Sequence, residues 1–259
     1  MTLQSDLPAA SWRWRIGAWA VAAVMAAAVC HSMLRIPLQP TDSLIPILAA
    51  QATPSVASAI TGSISSPGYL RPFRIGQIKL LYDAALGRHH FAVFKGFHIV
   101  LLLTAFGLFV AAIGVRGTAD FLAATFALTV FTGIHTFVRT VWEAYPVNHF
   151  LEIGVFCLAT LVLAQSRGGW LPGVVACLLL TIGALVLESG LLVWVVAVAA
   201  WLTGLRGLSR RALVAMTLSF VVSIGLLLPA DLIVHHRAER SAGLNRRGYR
   251  GPVIPRKQP

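Results

Sequence analysis

"FHIVLLLTAFGLFVAAIGV", residues 97–115, runs for 19 positions with a single ionisable side chain, His98. An α-helix rises about 1.5 Å per residue, so roughly 20 such residues cross the hydrocarbon core of a bilayer. The pattern recurs at Ile16–Leu34, Phe121–Val138, Val147–Ala164, Trp170–Leu187, Leu191–Leu205 and Ala212–Ile233. The whole chain of 259 residues is 57% hydrophobic and 12% charged, with a mean hydropathy of +0.78. A soluble domain carries about 25% charged residues. The expected fold is therefore an all-α polytopic membrane protein with about seven transmembrane helices. A long first outer loop, about 35–96, holds interfacial helices, and a basic tail, 235–259, follows the 1–234 membrane module.

The arginines set the direction. Arg13 and Arg15 precede the first span, Arg116 follows the second, Arg167 the fourth, and Arg206, Arg210 and Arg211 the sixth. They share one side when the N-terminus is cytoplasmic, as the positive-inside rule expects of short loops. The opening "SWRWRIGAWAVAAVMAAAVC" has the charge and apolar run of a signal sequence. It lacks a convincing small-residue cleavage site and reads as an uncleaved first span. Between the fifth and sixth spans stands only "ESG", which predicts a tight hairpin. An odd number of spans leaves the tail outside, against the rule, because it carries seven basic residues.

The outer loop is too long for a plain connector. "TDSLIPILAAQATPSVASAI" suggests short surface helices, with Asp42 placed to cap one of them. After the turn-rich "SSPGYLRP", the run "FRIGQIKLLYDAALG" predicts a helix ended by Gly87. On its wheel Ile75, Ile78 and Tyr82 share a face, with Arg74 and Gln77 on the opposite flank. Lys79 and Asp83 form an i, i+4 pair.

Orientation sorts the remaining polar residues. "GIHTFVRTVWEAYP" spaces His135, Arg139 and Glu143 along one helical stripe at the outer end of the third span. Lys95 and His98 open the second span there, His149 and Glu152 open the fourth, and Glu188 sits at the hairpin. Of nine acidic residues, six fall on the outer side. Ionisable groups at membrane depth are expensive and face a cavity or one another, so their convergence marks a polar site opening outward. Individually, each has a plainer use, such as a helix-end pair, a cap or a snorkelling lysine.

Several functions are excluded or weakened. No HExxH, P-loop, GxSxG or Rossmann fingerprint is present. Cys30, Cys157 and Cys177 lie in apolar runs without a CxxC and read as core residues. The net charge of +12 is scattered over loops and tail, which suits lipid contact and topology rather than nucleic acid.

In this layout, "YLRPFRIGQIKLLYDAALGRHHFAVFKGFHIVLLL", "FTGIHTFVRTVWEAYPVNHFLEIGVFCLATLVLAQ" and "GALVLESGLL" resemble the amino-terminal module of the GT-C glycosyltransferases. The similarity runs over residues ~15–230 with loose motifs. Two departures stand out: "PTDSL" offers one loop acid where many members show a pair, and Leu187 replaces the lysine before the hairpin glutamate. The further spans of most members are also not in this chain. The resemblance implies transfer of a sugar from a polyprenyl-phosphate donor to a glycan, lipid or protein acceptor at the outer face of a bacterial inner membrane. It implies Asp42 as the catalytic base, with Arg71, Arg74, Lys79, Lys95 and Arg139 as donor-phosphate contacts. His98, His135, Glu143 and Glu188 would shape the sugar pocket. No cofactor is implied; a divalent metal ion stays open, although one loop aspartate makes a poor site alone. The alternatives are a non-catalytic GT-C-like subunit working with a larger membrane partner, or a transporter or lipid flippase. The last is disfavoured because no internal repeat is found.

Overall fold

A computed structural model describes residues 11–35, 40–65, 70–133, 147–166 and 168–226. All regular structure among them is helical. The helices are α1 (Ser11–Arg35), α2 (Pro40–Ala52), α3 (Val56–Ser65), α4 (Pro72–Ala84), α5 (His90–Ile113) and α6 (Thr118–Gly133). They continue with α7 (His149–Ala164), α8 (Trp170–Val186), a short 3-10 turn (Glu188–Leu191), α9 (Leu192–Leu202) and α10 (210–226).

Two of these helices, Trp12–Arg35 and His90–Ile113, are long and apolar enough to cross a membrane. Only 28% and 33% of their most apolar windows are buried, so both turn large apolar faces outward. Val24, Val100 and Leu103 are among the exposed side chains. A helix apolar all round belongs in a large core or in lipid. The apolar helices Thr118–Val130, His149–Ala164, Trp170–Val186 and Glu188–Leu202 are shorter.

The packing follows from small residues. Ala18, Ala22, Ala26, Val29 and Met33 form one buried stripe of α1 at three- and four-residue spacing. Alanine along such a stripe lets backbones approach closely, and α1 lies against α5 and α6. On the far side of α5, α7 carries Leu151 and Val155 into the same core. The opposite flank of α7 meets α8 and α9, where Ala176, Leu180, Val193 and Ala197 are buried around Met216 of α10. Thus α7 is the central helix, shared by both cores.

The "ESG" reading holds as a turn. Leu187 leaves α8 in an extended conformation, and the 3-10 turn redirects the chain into α9. Gly190 is required there, because a Cβ would run into the backbone of Gly183.

Among the described residues, the segment expected as a long loop contains the helices α2, α3 and α4, with α2 and α3 both packed on α4. Pro72 begins α4, using the position where a missing N–H costs nothing. Its end departs slightly from expectation: α4 stops at Ala84, and Leu86 and Gly87 both turn left-handed (φ 49° and 70°). Likewise α2 starts at Pro40, which places Asp42 inside the first turn rather than at the cap.

Candidate functional site

Five residues of α4 and its cap, Arg71, Arg74, Ile75, Ile78 and Lys79, recur at i, i+3, i+4, i+7, i+8 and form one wall of a cavity. Ile45, Pro46, Ala49 and Ala50 of α2, Thr53 just after it, and Ala59 and Ser63 of α3 supply the rest. Its volume is about 390 Å³. Arg74 therefore shares a wall with Ile75 and Ile78 instead of lying on the opposite flank. The apolar stripe of α4 is the cavity's lining, and its cations belong to the same surface. Gln77 does point away, toward α7.

Arg71 is clasped by Glu188. Its Nε and Nη2 donate to Oε1 and Oε2 at 2.8 and 2.7 Å, a two-bonded fork between loop helix and hairpin turn. Burial pushes the Glu188 carboxyl up, but the Arg71 hydrogen bonds and the charges of Arg71 and Arg74 outweigh it and hold the group below its ordinary range. Arg74 is affected in the other direction. Burial and then the neighbouring Arg71 lower its pKa, with Glu188 compensating only in part. Among the described residues, two guanidiniums and one carboxylate thus stand beside the cavity. Lys79 is already engaged, bonded to Asp83 at 2.7 Å and lying 5.4 Å over the Tyr82 ring.

A second polar group lies on the other side of α4. Gln77 Nε2 donates to Glu152 Oε1 at 3.0 Å, and Glu152 Oε2 is 3.3 Å from His149 Nδ1. His149 and Glu152 are both buried, at 5% and 6% exposure, although nothing apolar would select them there. Next to them Asn148 caps α7 by accepting the Leu151 amide at 2.9 Å. The Asn148 amide itself donates to His98 Nε2 at 2.6 Å. An imidazole nitrogen that accepts is unprotonated, so a neutral His98 carries its proton on Nδ1.

Among the described residues, Gln77 Oε1, His98 Nδ1 and His149 Nε2 of this cluster are buried without a hydrogen-bond partner, as is Ser189 Oγ of the 3-10 turn. Each such atom costs about 1–3 kcal/mol unless something else satisfies it. Lys95, one turn before His98, is 2% exposed and makes no ion pair among the described residues; its Nζ lies 5.9 Å over the Phe91 ring.

The expected site residues thus divide. Arg71, Arg74 and Lys79 line the cavity; Glu188 is drawn to Arg71; Lys95 and His98 stand behind it on α5. The side chain of Asp42, and all of His135, Arg139 and Glu143, lie outside the described residues. Gln77, His149, Glu152 and Ser189 were not singled out as site residues. Among the described residues no three His, Cys, Asp or Glu side chains group as a metal site.

No family model, curated protein or solved structure matches the chain.

Proposed function

We propose that the chain is a multispan membrane protein of GT-C type that holds an isoprenoid-phosphate-linked sugar at its outer face. About seven crossings, a cytoplasmic N-terminus and an inner-membrane location belong to this reading. It rests on one observation above the others: an apolar cavity of about 390 Å³ bordered by Arg71 and Arg74, where Glu188 is paired with Arg71 and Asp83 with Lys79. An apolar cleft edged by guanidiniums suits an amphiphilic anion, whose chain stays with the apolar wall while its phosphate meets the cation. Ser63 Oγ, on the cavity's lining, is buried without a hydrogen-bond partner among the described residues and suits a hydroxyl of the group attached to that phosphate.

In this reading Arg74 is the principal phosphate contact and Arg71 is oriented by Glu188. Positive charge at the leaving phosphate stabilises the developing anion during transfer. The resemblance adds Asp42 as a carboxylate near the reacting carbon.

The test is binding of radiolabelled farnesyl phosphate to the protein in lipid nanodiscs. Arg74→Ala should weaken it tenfold or more, whereas Lys79→Ala, whose amine is already paired with Asp83, should change it little. Equal binding by the Arg74 variant would end the reading. Asp42→Asn should leave the protein folded and able to bind the phosphate but unable to transfer a sugar.

A further inference from the structure

We propose that the groove between α9 and α10 seats one anionic glycerophospholipid, its phosphate held by Arg206 and Arg210 beside Trp201 and one acyl chain lying along α10. The inference rests on the membrane location in the reading above and not on its transfer chemistry.

One end of the molecule gathers arginines. Arg15 Nε of α1 donates to the Val115 carbonyl just after α5 at 3.3 Å, and Gln165 Nε2, just after α7, donates to the Ala112 carbonyl of α5 at 2.7 Å. The Gly207 amide, in the turn between α9 and α10, donates to the Ala164 carbonyl of α7 at 2.8 Å. These bonds put the start of α1, the ends of α5 and α7 and the α9–α10 turn side by side. Arg13, Arg15, Arg116, Arg206, Arg210 and Arg211 stand at this end, all exposed, and none makes an ion pair among the described residues. Of the described carboxylates, Asp120 alone shares the end, and its Oδ2 accepts the Arg116 amide at 2.9 Å.

The groove opens among these cations and runs away from them. Arg210, Leu213, Val214, Thr217 and Leu218 recur at three- and four-residue spacing along α10, with Trp201 of α9 opposite, around a volume of about 290 Å³. From Arg210 to Leu218 the helix rises about 12 Å. Val214 and Leu218 are exposed although apolar. Thr217 is already engaged, donating to the Leu213 carbonyl at 2.8 Å and accepting from Trp194 Nε1 at 3.0 Å. Below Arg210 the wall is therefore a surface for hydrocarbon.

At the head of the groove the charges call for an anion. Arg206 lies 4.3 Å over the Trp201 ring and donates Nη1 to the Trp201 carbonyl at 2.7 Å, which fixes its guanidinium against the groove's wall. Arg210 and Arg211 occupy the first turn of α10, where the helix dipole favours acids and disfavours cations. The sequence offers no carboxylate between Glu188 and Asp231 to offset them. A soluble phosphate would meet the arginines and leave the apolar groove uncovered. A zwitterionic lipid would cover the groove but bring a cation of its own to the arginines. An anionic lipid satisfies both, and a tryptophan beside its head group is the usual anchor at that depth.

The experiment is native mass spectrometry of the detergent-purified protein given equal amounts of dioleoylphosphatidylglycerol and dioleoylphosphatidylcholine. The wild type should retain one phosphatidylglycerol with a preference of about tenfold or more. Arg206→Gln and Arg210→Gln should each reduce that preference about fivefold. Arg211→Gln, which borders the groove on the α8 side instead, should leave it nearly unchanged. Val214→Trp, which fills the groove, should lower retention of both lipids, and an excess of glycerophosphoglycerol, the head group without its chains, should displace neither. Size-exclusion chromatography verifies the fold of each variant. Equal retention of the two lipids by the wild type, equal losses in Arg210→Gln and Arg211→Gln, or displacement by the head group alone overturns the inference. Farnesyl phosphate binding that is indifferent to Arg74→Ala sinks the transferase reading and leaves this one standing.

Discussion

Two hollows of nearly equal size lie in different parts of the molecule and differ in almost everything else. The cavity under α4 holds about 390 Å³, and the groove between α8 and α10 about 380 Å³. Around the first, Arg71 clasps a carboxylate, Arg74 stands one turn on, and the buried Ser63 Oγ has no hydrogen-bond partner among the described residues. The second is lined by Gly173, Val174, Cys177, Leu178 and Ala212, with Ser209 and Arg211 its main polar residues. Across it Thr181 and Ser219 hydrogen-bond at 3.2 Å, and Cys177 Sγ donates to the Ala212 carbonyl at 3.9 Å. No carboxylate occurs in the sequence between Glu152 and Glu188, or from there to Asp231. Volume alone therefore says little; unsatisfied polarity beside opposed charges distinguishes a site for a ligand from a seam between helices.

Glycine substitutions should break this contrast most visibly. At Gly190 a methyl group would strike the Gly183 backbone, so Gly190→Ala should cost about 3 kcal/mol or more and unseat the turn that carries Glu188. At Gly173 the new Cβ would meet the Ala212 Cβ at 2.6 Å, and the helices of the groove can part slightly, so Gly173→Ala should cost less. Thermal unfolding followed by size-exclusion chromatography compares the two. Equal losses would show that the hairpin is no tighter than the seam.

Glu188→Gln comes next. It leaves Arg71 without its carboxylate and should cost about 1–2 kcal/mol, the pair being about a third exposed on the acid's side. The sign of the pH dependence follows from the lowered pKa. The pair's contribution is full above the ordinary value near 4.5 and fades as pH falls through the depressed one. The gap in melting temperature between wild type and variant should therefore persist at neutral pH and close only in acid below 4.5. Closure at pH 6 would refute the pairing.

Arg74→Ala and Arg211→Ala sharpen the comparison in binding terms. The first should weaken farnesyl phosphate tenfold or more, and the second should have no effect, although both remove an arginine from the edge of a hollow. Smallest of all, Thr181→Ala should cost about 0.6 kcal/mol, the ordinary value of one polar bridge between packed apolar helices. Unfolding in a denaturing detergent measures it.

Much of the helical layout was legible because long apolar runs leave the backbone little choice. The runs beginning at Val147 and Trp170 became α7 and α8 almost residue for residue. Boundaries on the polar side were less visible: α5 begins at His90 rather than Phe97, taking the charged Lys95 into the helix. The face of α4 was misjudged because aliphatic and basic residues alternate in a way that fits two stripes equally well. Only the positions of α2 and α3 decide between them. That Arg71 would meet Glu188 was beyond periodicity, and so was the burial of His149 and Glu152. Three residues apart at a helix start, these two look like any solvated first turn until Gln77 arrives from elsewhere in the chain.

The Arg71–Glu188 clasp joins residues 117 positions apart, and that interval contains α4, α5, α6, α7 and α8. A ribosome must therefore deliver all of those helices before α4 gains its fastening to the turn at Glu188. Until then α4 rests on contacts with its neighbours alone, and Glu188 on the hairpin has no guanidinium to meet. The order of synthesis thus makes this clasp a late fastening: a chain stalled before residue 188 holds α1 to α8 yet leaves α4 unfastened.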